Sequence, residues 1–414
     1  MSIYEKHKQN EIEEALGIKL PILVLTNPMA GANSRKIADY MKEKFGSEYF
    51  HHYISPKPDG IQEMISQEIS KLKKYPDYKL MAIVNGGDGT FQKVANLHPN
   101  IDKLIGCYLP GGTSCDFPLS LGINGNRDIP RTANLIKKIL DQHLRLEDYV
   151  KKIDLIKVNY DEKKEIYGFN IFGIGIDGLI CNEVNDDKKR GGFFKKLRFV
   201  QKAIKIKTNK KRAKEPQLFK PLEIGYMLNY DQKNTNDDAD SSHFNNIFDN
   251  ILAFNFLNGK RAASGLYRYS NFALDDGVGR VVITKNMKLE RGPLFLLEHQ
   301  LAHALKTAPP KERKEHDNVR NILLSVLNYD EEENLDYYLE LDGEPYKIDN
   351  PKSGIKIEIV PKATNVFCLH KTVAEKEIDH RHMYRPDPLE ISDPELRKLS
   401  ELAEKDPIFY TRII

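Results

Sequence analysis

Short continuous apolar runs alternate with amphipathic stretches over the first part of the chain. Leu20-Pro21-Ile22-Leu23-Val24-Leu25-Thr26 is one such run, Lys79–Val84 is a second and Leu104–Leu109 is a third. A run without polar alternation suits a strand covered on both faces, as in a parallel sheet. Between and after the runs, Lys36–Phe45, Met64–Leu72 and Phe91–Leu97 read as helices. Strand and helix alternate to about residue 150, which predicts a Rossmann-like α/β domain.

The pattern then changes. Lys152–Val158, Ile166–Phe172, Leu222–Leu228, Ile251–Leu257, Gly279–Thr284, Tyr337–Leu341 and Ile355–Ile359 all read as strands. Helices are expected only near 193–206 and 293–306, so a mostly antiparallel β domain is predicted. Residues 231–249, rich in Asn, Asp and Ser, read as a loop. Further on, Ser392-Asp393-Pro394-Glu395 is a helix start with a capping Ser and a Glu three residues later. The expected organisation is an α/β domain over 15–149, a β-sandwich domain over 150–365 and a C-terminal extension over 374–414.

Composition narrows this picture. The chain has 414 residues, of which 40% are hydrophobic, enough for a sizeable core. A formal net charge of +3 does not support nucleic-acid binding by the molecule as a whole. Cys107, Cys115, Cys181 and Cys368 form no CxxC pair, which points to a reduced, cytoplasmic protein. Met1–Gln9 is polar, and no run approaches the roughly 20 apolar residues that span a bilayer.

Three glycine-containing turns follow the predicted strands: Asn27-Pro28-Met29-Ala30-Gly31, Gly86-Gly87-Asp88-Gly89-Thr90 and Pro110-Gly111-Gly112-Thr113-Ser114. Glycine lets a ligand approach the backbone, and the N–H groups at a helix start make an anion site. Phosphate is the natural guest. A carboxylate beside it, Asp88, needs its own reason: it holds Mg²⁺ or takes a proton from an attacking hydroxyl. Either role implies phosphoryl transfer. Neither a GxxxxGK[ST] motif nor HRD and DFG motifs are present, so the P-loop and protein-kinase solutions are excluded. Cys115 has no neighbouring His or basic residue to activate it, and Asp379-His380-Arg381-His382 reads as a solvated polar linker.

Asn85-Gly86-Gly87-Asp88-Gly89-Thr90, with Asn96 six residues on, resembles the nucleotide signature of diacylglycerol, sphingosine, ceramide and bacterial lipid kinases. Further segments match that family in order. They are Asn27-Pro28 with Gly31, Pro110–Phe117 with Leu121-Gly122-Ile123, Asn170–Asp177, Leu274-Asp275-Asp276-Gly277 and Leu341-Asp342-Gly343-Glu344-Pro345. The resemblance implies ATP and Mg²⁺ as cofactors, with Asn27, Gly86, Gly87, Gly89, Thr90, Gly112, Thr113 and Gly343 around the nucleotide. It places Asp177 at the polar end of the lipid and Asp116 and Asp276 in a metal network. Its branches suggest different bases, Asp88 or Glu344.

There are departures from the family pattern. Ser114-Cys115-Asp116 stands where Gly-Asn-Asp is common, Leu119 where Arg is, and Ala262-Ala263-Ser264-Gly265 where Gly-Gly-Gly is. These departures leave a non-catalytic lipid-binding homologue open, and the glycine-aspartate turn, which NAD kinase shares, leaves a kinase with a soluble substrate open. Lys188–Lys214 holds 13 Lys and Arg and no acidic residue, with Phe193, Leu197, Val200 and Ile204 on one helical stripe. Such a stretch either packs on the core or meets anionic lipid as a peripheral membrane contact.

Overall fold

The computed structural model describes residues 22–27, 34–45, 50–54, 60–73, 79–98, 103–111, 115–123, 128–141, 143–161, 164–186, 220–230, 246–259, 261–262, 267–268, 273–285, 313–329 and 336–369. The chain divides into two units, 1–372 and 373–414. The expected C-terminal extension, the basic stretch 188–214 and the helix near 293–306 lie outside the described residues.

The elements run in order β1 (Ile22–Thr26), α1 (Ser34–Phe45), β2 (Phe50–Ile54), α2 (Gly60–Leu72), β3 (Leu80–Gly86), α3 (Asp88–Ala95), β4 (Leu104–Pro110), α4 (Asp116–Ser120) and α5 (Asp128–Leu140). They continue with β5 (Val150–Tyr160), β6 (Lys164–Gly168), β7 (Ile171–Gly175), α6 (Ile176–Asp186), β8 (Leu222–Leu228), β9 (Asn246–Leu257), β10 (Arg261–Ala262) and β11 (Tyr267–Arg268). The last are β12 (Gly279–Lys285), β13 (Arg313–Val319), β14 (Asn321–Val326), β15 (Tyr337–Leu341), β16 (Glu344–Ile348) and β17 (Ile355–Phe367).

The apolar runs of the first half are buried on both faces because helices cover both. Leu23, Leu25, Leu80, Ala82 and Val84 pack with Ile61, Ile65 and Ile69 of α2 and with Phe91 and Val94 of α3. Ile22, Val24, Met81 and Ile83, the alternate positions, pack with Ile37 and Met41 of α1 and with Ala133 and Ile136 of α5. Period 2 in the strands thus meets period 3.6 in the helices. Strands β2, β1, β3 and β4 lie side by side and parallel.

Among the described residues, hydrogen bonding connects one 15-stranded sheet through both halves, where the sequence reading expects a separate β-sandwich. β17 makes the join. Its end pairs in parallel with β4, its start pairs antiparallel with β14, and β5 runs antiparallel along its length. The β-rich part shares one core, in which Ile156, Phe172, Tyr226, Phe254, Val281, Leu324, Leu339 and Ile357 meet. The fold is mixed α/β with a large sheet.

A register shift separates Val360 from Thr364 in β17, and Lys362 there takes φ 52°. Fully buried Asp154 of β5 fixes the irregularity. Its Oδ1 accepts the Lys362 N–H at 2.7 Å and its Oδ2 the Gly277 N–H at 2.7 Å.

Candidate active site

β3 ends at Gly86, and Gly87 precedes α3 in an extended conformation, φ −104° and ψ 179°. The helix therefore starts at Asp88, three residues before the sequence expectation, and Asp88 and Gly89 stand in its first turn. The N–H groups of Thr90 and Phe91 both donate to the Gly87 carbonyl, at 2.8 and 3.1 Å. A Cβ on Gly86 would stand 2.5 Å from Thr90 Cβ, so only glycine lets the turn close. Asn27 Nδ2 donates to Thr90 Oγ1 at 2.9 Å, and the Gly111 N–H donates to the Gly86 carbonyl at 2.8 Å. The ends of β1, β3 and β4 are thereby tied together around one helix N-terminus, the geometry that receives phosphate. Gly112 and Thr113, together with Pro28 to Gly31, lie outside the described residues.

Asp88 clamps the next helix. Its Oδ2 accepts the Asp116 N–H at 3.0 Å and its Oδ1 the Phe117 N–H at 3.1 Å. Burial, and then the charge of Asp116, push the Asp88 carboxyl up to about 8, against the pull of those two backbone donors. Phe117 stacks on Phe169 at 4.2 Å and meets Phe91 and Tyr108 edge-on, which holds α4 against α3 and β4. The far end of α3 is fixed as well. Asn96 Oδ1 accepts the Tyr167 N–H at 2.7 Å, and Gln92 Nε2 donates to the Tyr167 carbonyl at 3.1 Å.

The β15–β16 hairpin brings the facing wall. Its turn is Asp342-Gly343, both with positive φ, 52° and 81°. Asp342, 2% exposed, accepts three backbone N–H groups: Phe169 on Oδ2 at 2.6 Å, and Asn170 and Ile171 on Oδ1 at 2.9 and 3.0 Å. Burial still raises its carboxyl to about 6. The hairpin then delivers Glu344 onto the glycine turn: a Cβ on Gly89 would overlap Glu344 Oε1. Gly343, expected at the nucleotide, donates its N–H to Glu340 Oε2 at 2.9 Å.

Asp177 is the second residue of α6, a helix that packs on β15 and β16. Asn255 Nδ2 donates to its Oδ2 at 3.1 Å, and burial raises its carboxyl. Asp276 accepts the N–H groups of Ala273 and Val278 within its own turn, with Asp275 as its charged neighbour. Asp116 is 5% exposed and adds its charge to both Asp88 and Asp342. Among the described residues no group of three or more His, Cys, Asp or Glu is placed to hold a metal ion. The structure therefore gathers Asp88, Gly89, Asp116, Asp342 and Glu344, and leaves Asp276 engaged with its own turn.

Sequence reasoning misses Asp154, Asn255 and Glu340. Asn255 lies between Phe254 and Phe256, and Glu340 between Leu339 and Leu341. A polar residue breaking an apolar strand is the signal that was there to read.

Residues 21–152 match the model of the diacylglycerol kinase catalytic domain. This segment makes up about a third of the chain. It carries Asn27, the turn from Gly86 to Thr90, and Asp116; Asp177, Asp276 and Glu344 lie beyond it. Two solved structures from Bacillus anthracis str. Sterne, both designated diacylglycerol kinases, share the fold. One has TM-score 0.54 and 16% identity, covering 84% of this chain and 96% of that one. The other has TM-score 0.54 and 16% identity, covering 84% and 97%. The yeast NADH kinase complexed with NADH, at TM-score 0.42 and 10% identity, is too distant to bear on the substrate. Curated proteins give no match. Among the described residues no helix is long and apolar enough to cross a membrane.

Proposed function

We propose that this chain transfers the γ-phosphoryl group of ATP to a hydroxyl of a lipid acceptor. The observation that carries the reading is the meeting of Glu344 with Gly89, in the first turn of a helix whose N-terminus suits phosphate. The diacylglycerol kinase catalytic domain match supports the kinase part. The lipid part rests on the ordered motifs from Leu121 to Glu344.

Asn27, Gly86, Gly87, Gly89 and Thr90 hold the nucleotide, joined by Gly112 and Thr113. Asp88 has both oxygens on backbone donors, so it works as a clamp that fixes α4 beside the phosphate turn. Glu344 comes from the opposite wall, on the strand pair against which the Asp177 helix packs. It stands between donor and acceptor and takes the proton. The acceptor oxygen bonds to the γ-phosphorus, the bond from that phosphorus to the bridging oxygen of ADP breaks, and the hydroxyl proton passes to Glu344. Asp177 orients the polar end of the acceptor.

Mg²⁺ commonly binds one or two carboxylates together with phosphate oxygens and water. Adjacent Asp88 and Asp116 fit a cation of that kind, arriving with the nucleotide, and it would neutralise phosphate charge there. The basic stretch 188–214 would bring the site to an anionic membrane surface.

The test is transfer of labelled phosphate from ATP, with Mg²⁺, into diacylglycerol, monoacylglycerol, sphingosine and ceramide in mixed micelles, with NAD as a soluble alternative. A labelled lipid is expected. Glu344→Gln should lower that product by about 100-fold or more while keeping ATP binding. Label in NAD alone would overturn the lipid acceptor, and no labelled product would overturn the kinase.

A further inference from the structure

Glu340 occupies a place where a strand normally buries hydrocarbon. It is 6% exposed, and Leu339 and Leu341 on either side are fully buried. Its Oε2 accepts the Gly343 N–H at 2.9 Å, with Cys181 Sγ at 3.6 Å. Its Oε1 faces the space left by Gly173 of β7. A Cβ there would stand 3.3 Å from Glu340 Oε1 and 2.6 Å from Asn255 Oδ1. Asn255 Oδ1 is buried without a hydrogen-bond partner, while Asn255 Nδ2 donates to Asp177.

Two acceptor oxygens facing one gap repel each other, and a buried oxygen without a donor is costly. One proton removes both penalties. A neutral Glu340 donates from Oε1 to Asn255 Oδ1 and still accepts the Gly343 N–H on Oε2. A continuous line then runs from Asp177 through Asn255 and Glu340 to the turn before Glu344.

We propose that Glu340 is a positioning residue, tying Asp177 at the acceptor end to the Gly343 turn that presents Glu344. This rests on the role of Glu344 proposed above. Burial, then the charge of Asp177, push the Glu340 carboxyl up to about 8. The titratable groups around it are Asp177 and Cys181 from α6, Asp342 at the end of its own strand, and Glu344 of β16 beside Cys181. The carboxylates of Asp177 and Asp342 disfavour a charged Glu340, while the Cys181 thiol and the Gly343 N–H, both donating to it, favour one. The opposite orientation of the Asn255 amide would move the proton to Asp177 and leave Glu340 ionised.

Glutamine at 340 separates these states. Glu340→Gln keeps both bonds, with Nε2 donating to Asn255 and Oε1 accepting from Gly343. Glu340→Ala removes both. With the acceptor found in the lipid panel, Glu340→Gln keeps kcat close to wild type near neutral pH. Above a pH of about 8 it also falls less than wild type does, because Asp88 titrates in that range in both but Glu340 only in wild type. Glu340→Ala loses on the order of 100-fold in kcat, with KM for ATP unchanged.

A second measurement needs no acceptor: the melting temperatures of wild type and Glu340→Gln across this pH range. The folded chain keeps a proton that the unfolded chain releases near the ordinary value of 4.5. Wild type therefore loses stability relative to Glu340→Gln as pH rises from that value towards about 8, and the gap is constant above it. Glu340→Gln as impaired as Glu340→Ala would overturn the positioning role. A gap in melting temperature that does not change with pH would overturn the shared proton. If no acceptor is phosphorylated, the proposed function fails while the melting curves still decide the state of Glu340.

Discussion

Glu344 reaches over from the β-rich half and lays its carboxylate on Gly89, leaving no room for a side chain at that position. The atom in the way is the far end of a flexible side chain, which can swing aside. A methyl group at 89 should therefore cost little stability but displace the carboxylate from the phosphate turn. Gly89→Ala is expected to melt near wild type and to lose on the order of 100-fold in kcat. Parallel melting and turnover measurements check this, and near-wild-type turnover would remove Glu344 from the mechanism.

Cys115 holds a left-handed backbone, φ 52° and ψ 40°, at the entrance to α4. Non-glycine residues pay roughly 1–2 kcal/mol there, and Asn pays less than most. Its Sγ lies 3.6 Å from the Gly86 carbonyl, a contact that an Asn amide can make as a better donor. Cys115→Asn should raise stability by about 1 kcal/mol and preserve activity. Urea unfolding provides the comparison, and a destabilised variant would show that the pocket requires the thiol.

Asp154 has both oxygens engaged by backbone donors from segments far apart in sequence, Gly277 and Lys362. Its removal strands two amides at the β17 irregularity. Each unsatisfied buried group costs about 1–3 kcal/mol, so Asp154→Ala should lose roughly 2–6 kcal/mol. Denaturant midpoints measure the loss; a cost under about 1 kcal/mol would mean that water replaces the carboxylate there.

The parallel strands were legible because helices cover both faces, which forces apolar residues at consecutive positions from Ile22 to Leu25 and from Leu80 to Val84. The antiparallel part was less so. One expected strand, Ile166–Phe172, is two strands, β6 and β7. The break comes from Asp342, which draws in the N–H groups of Phe169, Asn170 and Ile171. No local pattern announces a partner some 170 residues away. β13 was missed because among the described residues it pairs only with β12 and because it is largely polar, Arg-Lys-Glu-His-Asp-Asn-Val. β9 begins inside the predicted Asn-rich loop for a similar reason: its first residues are partly or fully exposed.

The glycine turn, Asp88 and Glu344 were visible as motifs, and the structure brings them together. The metal role given to Asp276 came from resemblance alone, and here its carboxylate closes its own turn. Glu340 and Asn255 went unread because binary patterning treats a lone polar residue in an apolar strand as noise. Their meaning lies in each other, across two strands.

β17 has a consequence for how this protein is made. The segment that matches the diacylglycerol kinase catalytic domain ends at residue 152, yet the outer edge of its strand β4 is paired by Asn365 and Val366. During synthesis the α/β half emerges first and waits, with the β4 edge open, for a strand made much later. An open edge is a template for the wrong neighbour. The α/β half therefore depends on residues made long after its own, and a ribosome stalled shortly before residue 365 would release a sheet ready to pair with another chain.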